Sequence, residues 1–191
     1  GHHHGPDSKA LKDAIFKVDE HIKNLYKALN KIDIEYTMII ISDHGMQKVN
    51  KEKIFYLSKY LKITPDIRVI GRGSFAMLYL ENEKNKKNIV EQLQTCPYIK
   101  AYTKKTIPPK YHFSNSQYIA PIVVEVLPPY YMLINKKDPL HVKGDHGYSP
   151  FISKEMHGIF YAKGNSFPID TVVDTFSITN VYKIISNIYF N

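Results

Sequence analysis

Leu11, Ile15, Val18, Ile22, Leu25, Leu29 and Ile32 follow one another at alternating spacings of four and three residues, which draws a single apolar stripe along a helix. Pro6, Asp7 and Ser8 stand just ahead of it and supply the capping chemistry of a helix start. The run Thr37-Met38-Ile39-Ile40-Ile41-Ser42 comes next and is apolar on both faces, the pattern of a buried parallel strand. It ends at Asp43-His44-Gly45. Helix, strand, then ligand-type side chains at the strand's carboxyl end is the order in which open α/β sheets build their sites.

Shorter signals extend the alternation. Strands are expected at 67–70, 75–80, 122–127 and 158–162, a helix at 86–94 with Ile89, Val90 and Leu93 on one side, and a closing amphipathic helix at 174–189. The sum is an α/β fold. Residues 95–143, rich in Pro, Tyr and Asn, read as an irregular excursion from the sheet, and no internal repeat is present. A chain of 191 residues, 43% hydrophobic, is one globular domain or a large piece of one.

The longest apolar stretches are far too short to cross a bilayer, and the opening GHHHGPDSK has no charged segment followed by an apolar run, so no signal peptide is read. The formal charge of +8 invites a nucleic-acid reading, but the lysines are dispersed and arginine is represented only by Arg68 and Arg72. No specific nucleic-acid binding is expected; a phosphate-bearing small substrate suits a basic protein as well. Cys96 is the one cysteine, which excludes an internal disulfide and a thiolate zinc site. A metal here must be held by histidine and carboxylate.

The histidines sort by their surroundings. His21 lies in the first helix, and His112, His141 and His157 stand among aromatic and apolar neighbours, where a hydrogen-bonded structural histidine is the plainer reading. His44 and His146 differ, because each follows Asp and precedes Gly, and the missing side chain lets other groups approach. GHHHG resembles an expression tag, yet it runs through Gly5-Pro6-Asp7-Ser8 directly into a correctly capped helix, which favours native sequence.

The order GHxxGP, amphipathic helix, strand ending in SDHGM, then GxHGY followed by MHGIFYAKGNSF resembles the nucleotide pyrophosphatase/phosphodiesterase family of the alkaline-phosphatase superfamily. IPPKYHFSNSQYI at 107–119 is similar to a further segment of that family. Ser149-Pro150 stands where Asp-Asn is common, and Asn165 where Pro is common. The resemblance implies an alkaline-phosphatase-like sheet flanked by helices, of which residues 1–191 are the C-terminal portion of a single catalytic domain. It also implies two Zn²⁺ ions. One would be bound by His2 and His146 with an upstream Asp, the other by Asp43 and His44 with a second upstream Asp. His3 and His4 fill variable positions and are not assigned.

In the family a Thr or Ser nucleophile precedes all three motifs, so the resemblance places it outside this chain, together with the missing N-terminal part of the domain. No catalytic residue other than metal ligands is then expected within the chain, which alone would be inert. The implied activity is hydrolysis of phosphodiester or pyrophosphate bonds through a covalent intermediate, on a small phosphodiester or nucleotide. A phosphomonoesterase or sulfatase of the same superfamily, and a catalytically dead binding homologue, are the alternatives. The family also implies an extracellular, cell-surface or secretory-pathway location. Asp145 occupies a variable position, which reads as a solvent-facing or supporting residue rather than a ligand.

Overall fold

The computed structural model describes residues 1–113 and 115–190. In chain order they form α1 (Lys9–Leu29), β1 (Met38–Ile41), β2 (Gln47–Lys48), β3 (Ile54–Tyr56), β4 (Ile67–Arg72), β5 (Phe75–Leu80), α2 (Lys86–Leu93), β6 (Ile99–Thr103), β7 (Ile122–Val126), β8 (Tyr131–Leu133), β9 (Gly144–Asp145), β10 (Phe160–Lys163) and α3 (Asn180–Phe190). They divide into two compact units, one of Gly1–Lys12 with Met46–His157, the other of Asp13–Gly45 with the residues from Gly158 on.

The first unit is built on an antiparallel sheet in the order β4-β5-β7-β6, with Val69 opposite Leu78, Met77 opposite Val123 and Ala101 opposite Val124. Successive side chains of a strand point to opposite faces, so β5 and β7 each feed two cores. Ala76, Leu78, Ile122, Val124 and Val126 join Leu57, Leu93, Cys96 and Met132 in the larger cluster. On the other face Val123 meets Ile107 and Ile119, with Phe75, Met77, Tyr102 and Tyr111 packed around them. Glu125 lies buried on this second face, where Tyr102 donates to it at 3.1 Å and Tyr111 at 2.9 Å. The hydroxyls satisfy a carboxylate that burial would otherwise penalise.

Two short pairings hang on this sheet. β3 runs parallel to β8, and β2 runs antiparallel to β9. The β4–β5 turn reaches β8 through Gly73, which exchanges both backbone hydrogen bonds with Met132, at 2.7 and 2.9 Å.

The expected strands at 67–70, 75–80, 122–127 and 158–162 and the helix at 86–94 are all present. The stretch 95–143 departs from its reading as an irregular excursion: it carries β6, β7 and β8, and β6 and β7 are half of the main sheet. The period-two signal in Ile99-Lys100-Ala101-Tyr102 is real, and its inward residues Ile99 and Ala101 are buried. The prolines around it mark the turns at its ends, not a lack of structure.

In the second unit β1 pairs with β10, and the pairing is antiparallel: Met38 faces Lys163 and Ile41 faces Phe160. This corrects the expectation of a buried parallel strand, since the segment after Gly158 turns back along β1. None of the residues of β1 is fully buried. α1 shows its apolar stripe, but none of its residues is buried; Ile15 and Val18 are each 57% exposed. Ile22 and Tyr26 line a shallow cleft with Met38, Ile40 and Tyr161, and Lys163 reaches the Tyr26 hydroxyl and stands over its ring at 4.3 Å. α3 begins six residues later than the expected position 174. The Ser177 carbonyl accepts from Asn180 at 2.9 Å, and the β-branched residues Thr175, Ile178 and Thr179 resist earlier helix formation.

Candidate functional site

Within the first unit, His2 and the segment Lys143–Gly147 are knitted together through the backbone. The His2 carbonyl accepts from Lys143 N–H at 2.7 Å and Gly144 N–H at 3.2 Å, while His2 Nδ1 lies 2.9 Å from the Gly144 carbonyl. A carbonyl can only accept, so Nδ1 carries the hydrogen and the neutral ring's lone pair is on Nε2. The His2 and His146 rings stand 5.1 Å apart between centroids, tilted by 52°. Gly5, at φ +85°, closes the loop by bonding back to Gly1 at 2.7 Å. Any Cβ there would be strained by that backbone conformation.

The backbone at His146, just past β9, is held by the β4–β5 turn. Ser74, 3% exposed, donates its hydroxyl to the His146 carbonyl, and its own carbonyl accepts from Val126 N–H at 2.8 Å. Asp145 is half-buried against Gly73, where any Cβ would collide with Asp145 Oδ2. Burial pushes the Asp145 carboxyl up from its ordinary range, opposed by the backbone N–H groups of His146 and Ser74 and by the two neighbouring imidazoles. Of its two sequence readings, solvent-facing and supporting, the supporting one describes its place.

In the second unit β1 delivers Asp43 and His44. Ser42 N–H donates to the Ile159 carbonyl at 3.1 Å and the Ser42 hydroxyl accepts from Ile159 N–H at 2.9 Å, which clamps the strand end. Gly158 permits this, because a Cβ there would lie 2.7 Å from both Ser42 oxygens. His44 N–H donates to Asp43 Oδ1 at 2.9 Å, turning Oδ2 to within 3.4 Å of His44 Nε2. His44 Nδ1 lies 2.7 Å from the Gly45 carbonyl, so Nδ1 donates there and Nε2 is the nitrogen beside Asp43. A carboxylate oxygen and an imidazole nitrogen therefore stand side by side at the strand end.

The structure thus joins His2 to His146 in one unit and Asp43 to His44 in the other. His3, His4, His21, His112, His141 and His157 are exposed. Of the three read as structural, His157 bonds the Pro150 carbonyl at 3.0 Å, while His112 caps a short 3₁₀ turn at φ +49°. Gly73 and Ser74 escaped the reading of the sequence, although Arg-Gly-Ser between two strands is a turn signal. Nothing local tells which loop such a turn will touch.

The class these features define is matched directly. The family model described as type I phosphodiesterase / nucleotide pyrophosphatase matches residues 1–149, and the chain belongs to that family. Human ectonucleotide pyrophosphatase/phosphodiesterase family member 5 is 29% identical over 191 residues, covering 98% of this chain and 39% of that protein. Bovine bis(5′-adenosyl)-triphosphatase is 27% identical over 92% of this chain and 40% of its own length. The solved human pyrophosphatase/phosphodiesterase 5 superposes with a TM-score of 0.86 at 28% identity, covering 98% of this chain and 50% of that one. An inactive variant of the murine protein, solved in complex with AMP, gives 0.85 at 29% identity. The fold is therefore the alkaline-phosphatase-like α/β arrangement in part: the chain spans between about one-fifth and two-fifths of the curated relatives and half of the solved ones. Among the described residues no helix is long and apolar enough to cross a membrane.

Proposed function

We propose that this chain supplies four ligands to a two-zinc centre, His2 and His146 to one ion and Asp43 and His44 to the other, in a hydrolase of phosphodiester or pyrophosphate bonds. Nucleotide-type compounds are the substrates. The observation that carries this reading is the shared orientation of His2 and His44, each with Nδ1 tied to a backbone carbonyl. Metal-binding histidines are commonly fixed this way. Two imidazoles on one tetrahedral zinc, with Zn–N of about 2.0–2.1 Å, have centroids roughly 5 Å apart, the spacing of His2 and His146. Imidazole and carboxylate together suit zinc. Family membership supports the reaction class, and the AMP complex of a relative supports the substrate class.

Among the described residues no group of three or more His, Cys, Asp or Glu forms a metal site, so each pair needs further ligands. In this reading a segment preceding Gly1 brings one aspartate to each ion and the Thr or Ser nucleophile, and the chain is inert without it. Bound zinc supplies Lewis-acid stabilisation of phosphoryl charge and makes a nearby hydroxyl a better nucleophile. The chain's own task is to hold donors still. His44 N–H orients the Asp43 carboxylate, the Ser42–Ile159 clamp fixes the strand end, and the Gly144 carbonyl sets the His2 ring. The nucleophile that would carry the phosphoryl group belongs to the preceding segment, and His2 and His146 would hold the ion that assists its hydrolysis. Like relatives named ectonucleotide pyrophosphatases, the complete protein works at the cell surface or in a secretory compartment.

The test uses the complete protein with p-nitrophenyl thymidine monophosphate. Two zinc ions per molecule are expected, with hydrolysis lost in His146→Ala and the monoester p-nitrophenyl phosphate turned over more slowly than the diester. Full activity in the His146→Ala protein would sink the assignment.

A further inference from the structure

We infer that Ser74, with Gly73 and Asp145, is the positioning device for the ligand histidine His146, so that affinity for one metal ion of the pair is set from the turn of the main sheet. The inference rests on the two-zinc reading above. Its observations are geometric. The Ser74 hydroxyl donates to the His146 carbonyl, and it lies where a Cβ on Gly147, at φ +94°, would come within 2.7 Å. Gly73 has no side chain, so the Asp145 carboxylate can settle where a Cβ would stand. That carboxylate is thereby seated against the turn, next in the chain to His146.

The turn itself is fixed. Gly73 exchanges two backbone hydrogen bonds with Met132, and Ser74 accepts one from Val126, both of them in the fully buried core. β9 is only two residues long, held to β2 by a short ladder. A two-residue strand has little rigidity of its own, and a ligand is useful only when its ring is held close to one geometry. The turn lends it the stiffness of the four-stranded sheet: sheet to Ser74, Ser74 to the His146 backbone, and the His146 ring beside that of His2. Asp43 and His44 belong to the other unit, where the Ser42–Ile159 clamp holds the strand end instead. The effect should therefore fall on one ion only.

The experiment measures zinc retention in the complete protein against a competing chelator, with cobalt substitution to report ligand geometry by visible absorption. Residues that orient ligands typically change metal affinity by about 10–100-fold, and Ser74 acts one bond further out, through a backbone carbonyl. The expected result is that Ser74→Ala keeps one ion at wild-type affinity and holds the other about 10-fold more weakly. The weakened ion should be the one lost in His146→Ala, and Ser74→Thr, which restores the hydroxyl, should recover most of the affinity. Retention of both ions at wild-type affinity in Ser74→Ala would overturn the inference. So would equal weakening of both, which is the mark of a general folding defect, or a Thr variant as weak as Ala. Wild-type protein that holds no zinc overturns the two-zinc reading itself, and this inference with it.

Discussion

At the scale of single residues, the two Asp-His-Gly tripeptides do different work. Asp43 is an exposed carboxylate at a strand end, turned toward its own neighbour's Nε2. Asp145 is half-buried and engaged by backbone N–H groups beneath His146. Asp43→Asn should lower hydrolysis by more than about 100-fold, beyond the range of supporting residues, with loss of one zinc. Asp145→Asn puts an NH₂ among N–H donors and should cost about 10–100-fold through misplacement of His146. Kinetics and zinc content of the two variants check the difference, and equal damage from both would refute the separation. The four candidate ligands could be named because the motifs that resemble the family are local: each histidine precedes or lies near a glycine, and Asp43 ends an apolar run. Asp145's burial was not, because it depends on Gly73 and Ser74, and Ser74 stands 72 residues before His146.

At the scale of elements, the two units spend their apolar residues differently. Leu78 on β5 is wholly buried between β4 and β7. Leu78→Ala should lower the unfolding free energy by about 2–5 kcal/mol, from lost burial and the cavity left behind. Ile15 on α1 is mostly exposed, so Ile15→Ala in the 191-residue chain should change stability by no more than about 0.5 kcal/mol. Urea titrations of the two variants give both values. If the complete protein covers the α1 stripe, the same Ile15→Ala change becomes costly there. The stripe was legible from its 3.6-residue period, and β4, β5 and β7 from their apolar runs. The pairing of β1 with β10 was not: Thr37–Ser42 is apolar on both faces, a pattern that constrains burial but leaves strand direction open. β6 was missed because the Pro- and Tyr-rich composition around it outweighed five residues of alternation.

At the scale of the whole chain, ionisable groups are distributed unevenly. In the first unit, burial raises Tyr60, Cys96, Tyr102, Tyr111, Tyr131 and Tyr148 above their ordinary ranges. Tyr102 and Tyr111 are raised further by donating to Glu125. In the second unit Tyr26 moves the other way, lowered by its hydrogen bond with Lys163. A tyrosine whose folded pKa is raised is neutral in both states below the unfolded value of about 10. Above that value the unfolded chain ionises first, and stability falls until the folded pKa is reached. For Tyr148, 3% exposed, the loss at pH 11 is up to about 1.4 kcal/mol. The first unit should therefore weaken steeply between pH 9 and pH 11, roughly the span in which unfolded tyrosine titrates, while the exposed Tyr26–Lys163 contact adds no comparable loss. Urea midpoints followed by circular dichroism at pH 8 and pH 11 measure this directly. Tyr148→Phe removes one titrating hydroxyl together with its 2.8 Å bond to the Tyr130 carbonyl. It should start less stable at pH 8 and lose less on going to pH 11. A midpoint as high at pH 11 as at pH 8 would mean these hydroxyls are not held neutral by the core.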